Sequence, residues 1–246
     1  MRGEPITVDA VRAVTEIVAD AETGSVLVFC ASGQRAAAWW AARMIEGDGV
    51  GLERALERAR RAGVSHAPTI AALKARAGEV EARKEVDRLA EGLTGTLMQR
   101  LGSAIEGGGI EHAARVCARS ASTITAELGA RQGVVVRRTS LRWRNPENQP
   151  TADERPWLIA AEAALDAGRA IEPLYEVVRE KDGSAVLRHL RPIVFPGGLC
   201  SQCHGSKGEI PAEVRTFLAE RYPDDRAINF TPGELRGAIR VTVPLE

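Results

Sequence analysis

The sequence predicts an α+β protein, a small antiparallel sheet with long N-terminal helices, preceded by a partial α/β segment. Three observations predict it. Apolar residues recur at helical spacing over most of the first 130 positions, and β-rich runs separated by turn residues cluster beyond them. A single apolar run at 25–29 stands apart as a lone parallel strand.

In the first segment, Thr7 is placed to cap a helix whose Val8, Val11, Val14, Ile17 and Val18 share one face, with residues 20–24 closing it. The run Ser25-Val26-Leu27-Val28-Phe29 then reads as a buried strand delivering Cys30 at its end. The loop from Cys30 to Arg35 enters an Ala-rich helix over 36–45 carrying Trp39 and Trp40, and a further helix spans 52–61 before Gly63. His66-Ala67-Pro68 marks a boundary, after which 69–83 is charged and helical. The expected organisation is therefore a segment 1–66, a helical connector 67–85 and a domain 86–246.

In that domain Leu89, Leu93, Leu97, Leu101 and Ile105 form a helical stripe broken by Gly107-Gly108-Gly109. A second stripe, Ile110, Ala113, Ala114, Cys117, Ala121, Ile124 and Leu128, puts Cys117 on a buried face, with Gly129 as the expected C-cap. Strands follow at 134–138, 174–179, 185–190 and 238–243. Lys181-Asp182-Gly183 turns the middle pair into a hairpin, and a helix at 154–167 lies between the first two strands.

Composition narrows the function classes. The chain has 246 residues, 44% of them hydrophobic and 4% aromatic, with 33 basic and 33 acidic side chains. A chain of zero formal net charge has no overall field for nucleic acid or anionic membrane, although the arginines of 137–144 make one face locally basic. No apolar run reaches the ~18 residues of a membrane span, and Met1 to Pro5 lacks the apolar core of a secretory signal.

The most specific motif is Cys200-Ser201-Gln202-Cys203-His204. Two thiols separated by two residues can each reach one vinyl group of a porphyrin, and the adjacent His is placed under the iron. Loop residues flank the motif on both sides, unlike a redox dithiol opening a helix, and a zinc site would need a second close pair. The reading is one covalent haem c, with Cys200 and Cys203 in thioether bonds and His204 as proximal ligand. For the sixth position Cys117 comes first, His112 second, with His189, Met98 and water as further choices. A thiolate there favours ferric iron, and its weak bond to ferrous iron would admit nitric oxide or carbon monoxide. Arg137, Arg138, Arg142 and Arg144 are the expected holders of the haem propionates, since guanidinium forks bind carboxylates bidentately. Attachment of haem c normally follows export, so a periplasmic or otherwise exported location is expected, with a signal removed from or lying upstream of these residues. The long helix and the Cys117 helix can also pair with copies of themselves, a weak indication of a homodimer.

Four blocks carry a resemblance. Arg115-Val116-Cys117, the stretch from Val136 to Asn148, Leu199 to Gly205, and Tyr222 to Ala227 with Leu235-Arg236-Gly237-Ala238 resemble, in order, the single c-haem, PAS-like domains found as exported proteins or sensor modules in bacteria. The resemblance implies a PAS-like fold over about 80–246, His204 and Cys117 as the axial pair, and redox or diatomic-gas sensing or one-electron transfer.

Residues 4–64 resemble part of a rhodanese or cysteine-phosphatase domain. Cys30-Ala31-Ser32-Gly33-Gln34-Arg35 has the four-residue Cys–Arg gap of rhodaneses, where backbone N–H groups and a helix dipole lower the thiol pKa. That implies a nucleophilic Cys30, an oxyanion clamp at Arg35 and a donor at Ser32, and so a sulfurtransferase or phosphatase coupled to the haem domain as the rival function. The strands and the acid-bearing loop such a domain needs are missing from the preceding residues.

Overall fold

The computed structural model describes residues 8–20 and 24–245, with side chains from residue 11 onward. The expected Thr7 cap, the features of Met1 to Pro5 and part of the 20–24 turn lie outside the described residues. The chain divides into two compact units, one running to Ala82 and a second over Arg83–Pro244.

The first unit is helical. It contains α1 (Val8–Ala19), α2 (Gln34–Glu46), α3 (Leu52–Arg61) and the start of α4 (Ala67–Gln132). Small residues let α2 and α3 pack closely, with Ala41, Ala55 and Ala59 buried beside Met44, Ile45 and Leu56. Trp39 is buried and donates its indole N–H to the carbonyl of Val11 at 3.2 Å, joining α1 to α2. The expected strand at 25–29 is corrected: those residues form no ladder, and Leu27 and Phe29 are 83% and 81% exposed. Among the described residues the first unit holds no other strand, so the run has no backbone partner, and its amides stay solvated. This part is therefore not α/β.

The second unit is the α+β body. The remainder of α4 leads to β1 (Val135–Thr139), α5 (Arg155–Asp166), β2 (Leu174–Arg179), β3 (Ala185–Val194), a short α6 (Ser201–His204), α7 (Ala212–Arg221) and β4 (Leu235–Leu245). The antiparallel sheet has the order β1-β4-β3-β2, with Leu174 opposite Leu190 in the hairpin and Arg138 opposite Ile239 across β1 and β4. Leu158 and Ala161 of α5 pack on Leu190, Leu235 and Ala238.

Two local features position the site. First, α4 is interrupted where Gly108 and Gly109 leave helical geometry, Gly109 at φ 73°, a conformation open to glycine at little cost. The expected Gly129 cap is also corrected. The helix runs on to Gln132 and ends at Gly133 (φ 66°), while a Cβ on Gly129 would stand 2.8 Å from the Val134 carbonyl. Second, a Cβ at Gly237 (φ 152°) would meet the Thr139 carbonyl at 2.4 Å, so only glycine allows β4 to lie this close to the end of β1.

Candidate cofactor site

A cavity of about 350 Å³ lies within the second unit. One wall is α4 on both sides of its break: Thr94, Leu97, Met98 and Leu101 before it, and Ile110, Ala113, Ala114, Cys117, Ala118 and Ala121 after it. These positions recur at spacings of three and four, the stripe already visible in the sequence. The far side is Phe195, Leu199, Cys200, Cys203 and His204, and the sheet end supplies Arg138, Ser140, Arg236 and Ile239. Met98 and Leu199 keep 50% and 43% of their surface exposed, a large apolar exposure for residues lining a hollow.

His204 ends α6 and is fixed from behind. Its Nδ1 lies 2.7 Å from the carbonyl oxygen of Ala227, which can only accept, so Nδ1 carries the proton and Nε2 keeps its lone pair. Backbone bonds from Phe230 N to His204 O (2.9 Å) and from Asn229 N to Gly205 O (2.8 Å) strap residues 229–230 along the motif. The Phe230 ring stands edge-on to the imidazole at 6.3 Å. Burial pushes the His204 pKa well below the usual value, and Arg236 and Arg144 push it the same way, so the ring is a neutral base.

The thiols share this setting. Burial raises the pKa of Cys200, Cys203 and Cys117, offset for Cys203 by Arg144 and for Cys117 by Arg138 and Arg100. All four cysteines are free.

The arginines divide in a way the sequence alone did not indicate. Arg138 and Arg144 line the cavity; Arg137 and Arg142 do not. Successive strand residues face opposite sides, and Arg137 turns to the fully buried Glu154, with Nη1 at 3.1 Å from both carboxylate oxygens, and to the carbonyls of Glu147 and Gln149. Arg142 lies over the Phe230 ring at 3.7 Å and donates to the Ile228 carbonyl, with Glu234 at 3.4 Å. Arg144 binds Asp225 at 2.8 Å and also the carbonyl of Cys203 at 2.5 Å, bracing the loop behind the motif. Arg236, which had no role in the sequence reading, lines the cavity; its place in the Leu235-Arg236-Gly237-Ala238 block was the available signal. Burial and the charges of Arg144, Arg138 and Arg142 push its pKa down to about 9 against the opposing pull of Asp225. A guanidinium gives up its proton so reluctantly that the consequence is an unmet demand for an anion.

The other expected site residues lie elsewhere. His112 is exposed and His189 is buried against the Leu174 carbonyl, Nδ1 to oxygen 3.1 Å; neither lines the cavity. Cys30, Ser32 and Arg35 belong to the first unit, at the start of α2. The backbone N–H of Ala36, with smaller contributions from Ser32, Arg35 and Gly33, lowers the Cys30 pKa to about 7. Among the described residues no group of three His, Cys, Asp or Glu side chains is placed to hold a metal, and no helix is long and apolar enough to cross a membrane.

The family model described as Tll0287-like matches residues 34–244. A solved structure described as the cyanobacterial heme-protein Tll0287 aligns at 28% identity with a TM-score of 0.51, covering 67% of this chain and 95% of its own. No curated protein matches. The matched span takes in the cavity wall, the sheet and the Cys200–His204 segment, and the chain belongs to the Tll0287-like family.

Proposed function

We propose that this is a haem protein of the c type, with one haem joined through Cys200 and Cys203, His204 as proximal ligand and Cys117 as distal ligand. The observation that carries the reading is the convergence of all four side chains on one cavity in the second unit. The name of the aligned relative and the exposed apolar wall support it further. Bound there, haem would supply one-electron redox chemistry and a coordination position for a diatomic gas.

The chain's own residues have definable tasks. Ala227 holds the imidazole by its Nδ1–H, so Nε2 is the atom offered to a metal, and the hydrogen bond makes it a stronger donor. Cys117 offers sulfur from the opposite wall, where Arg138 and Arg100 favour the thiolate that burial disfavours. The alkyl groups of α4 exclude water. Redox or diatomic-gas sensing and one-electron transfer are the roles such a site serves. Maturation of haem c outside the cytoplasm places the protein in the periplasm or its equivalent.

The test is an optical spectrum of protein produced with a c-type maturation system, oxidised, then reduced with dithionite, then exposed to carbon monoxide. Haem that survives denaturation and is lost in Cys200→Ala/Cys203→Ala is expected, as is a Soret shift in Cys117→Ala. Absence of covalent haem overturns the attachment, and an unchanged Cys117→Ala spectrum overturns the distal ligand. Carbon monoxide binding by the reduced protein selects the gas-sensing role, and its absence selects electron transfer.

A second reading, thiol sulfurtransferase or phosphatase chemistry at Cys30 with Arg35 and Ser32, is favoured by the lowered Cys30 pKa. It requires turnover of thiosulfate, a persulfide or an aryl phosphate that disappears in Cys30→Ser.

A further inference from the structure

Resting on the haem reading, we propose that Arg138 and Arg236 are the pair that binds the two haem propionates, one carboxylate to each guanidinium.

Arg138, Arg144 and Arg236 line the cavity, and no Asp or Glu does. Arg144 is matched by Asp225. Arg138 and Arg236 form no ion pair among the described residues, and Arg138 Nε is buried without any hydrogen-bond partner. A guanidinium drawn partly out of water and left without a counter-charge is costly, so two half-buried groups facing one hollow call for two negative charges inside it. A porphyrin with two propionates supplies that number, on a body that the apolar wall of α4 would cover.

Geometry makes Arg236 a prepared donor. Ser140 donates its hydroxyl to the Arg236 carbonyl at 2.8 Å and accepts from Arg236 Nη1 at 3.2 Å, and the Arg142 carbonyl accepts from the same Nη1 at 3.3 Å. Those bonds hold one corner of the guanidinium. Its Nε and Nη2, the edge that grips a carboxylate through two parallel hydrogen bonds, have no protein partner among the described residues. Gly237 permits this arrangement by letting β4 reach Ser140. Arg137 and Arg142, by contrast, have their donors committed to Glu154, Glu234 and backbone carbonyls.

The experiment uses the full chain carrying Cys200→Ala and Cys203→Ala, so that porphyrin binding is reversible. It compares titration with hemin and with hemin dimethyl ester, which lacks both charges. A charged hydrogen-bonded contact corresponds to roughly tenfold to a hundredfold in affinity, so the parent is expected to prefer hemin by about a hundredfold or more. Arg138→Met and Arg236→Met should each remove part of that preference and together reduce it to about threefold or less, while Arg137→Met keeps it. Equal binding of the two porphyrins by the parent overturns the pairing without needing any arginine variant to fold. Full preference retained in the folded double variant overturns it as well. Binding of neither porphyrin by the parent overturns the pairing, since two prepared guanidinium groups would hold the charged porphyrin without the thioether bonds, whereas the haem reading is decided separately by the covalent spectrum of the unsubstituted chain.

Discussion

Arg137 and Arg138 are neighbours on β1, yet their guanidinium groups meet opposite electrostatic conditions. Arg137 faces a closed network in which Glu154, buried completely, also accepts from the Thr139 hydroxyl (2.8 Å), the Thr151 N–H (3.0 Å) and Arg240 (3.3 Å). Every lone pair of that carboxylate has a donor, as a buried charge requires. Arg138 and its companion Arg236 face a hollow with no anion. One residue type on one strand is thus internal scaffolding on one face and an open binding group on the other. The difference lies in whether the counter-charge is covalently part of the chain.

The closed network depends most on Glu154. Glu154→Ala strips Arg137 of its carboxylate and leaves Arg240 only Asp153, with the two cations opposite each other across β1 and β4, and is expected to cost about 3–5 kcal/mol in urea unfolding. The geometry behind the open face is the next target. Gly237→Ala forces a Cβ against the Thr139 carbonyl and strains a positive φ, and an expected loss of about 2–3 kcal/mol would be read from the same curves. The open face should respond with the opposite sign. In cofactor-free protein, Arg236→Met removes a half-buried cation that has no ion-pair partner among the described residues, so the urea midpoint should rise by the equivalent of about 1 kcal/mol. A fall would mean that Arg236 is already compensated within the chain.

His189 is an intermediate case that sharpens the contrast. It is fully buried, stacked on Tyr175 at 4.7 Å, and its Nε2 has no hydrogen-bond partner although Asp87 lies 3.5 Å away. Burial lowers its pKa, and Arg191 does so too, while the Leu174 carbonyl and Asp87 act in the other direction. A histidine whose folded pKa lies below its unfolded value of 6.5 takes up its proton first in the unfolded chain. Stability should therefore fall as pH drops from 6.5 toward the folded value and stay level above. His189→Phe should flatten that slope, leaving the part due to His204. The smallest effect belongs to the first unit, where Cys30 is solvated by backbone amides instead of side chains. Its alkylation by iodoacetamide should reach half-maximal rate near pH 7, and Ala36→Pro, which deletes the principal N–H, should move that midpoint upward with little change in stability.

These contrasts also explain what was legible in the sequence. The Cys200–His204 motif and the Cys117 stripe stood out in the sequence because a Cys-x-x-Cys-His spacing and a helical apolar stripe are local patterns, and the structure brings both to the same cavity. Helix α3 and strand β2 fall where periodicity placed them. The run at 25–29 misled because an apolar pentamer looks the same whether or not another strand exists to pair with it. The division of the arginines was hidden for a related reason. Which face Arg137 takes depends on Glu154, seventeen residues away, and the exposure of Arg236 to the cavity depends on the pairing of β1 with β4, a contact between segments about a hundred residues apart.

The break in α4 has a consequence for how the receptacle is assembled. Met98 and Cys117 belong to one helix kinked at Gly108–Gly109, so bringing both to one cavity closes only a short stretch of chain and costs little conformational entropy. The opposing residues, Cys200 to His204, arrive from some eighty to a hundred positions later and wait on the sheet and on the strap at 229–230. One half of the receptacle is low in contact order and the other high, so the alkyl wall can take shape early while Cys200 and Cys203 remain accessible until the slower, long-range closure is complete.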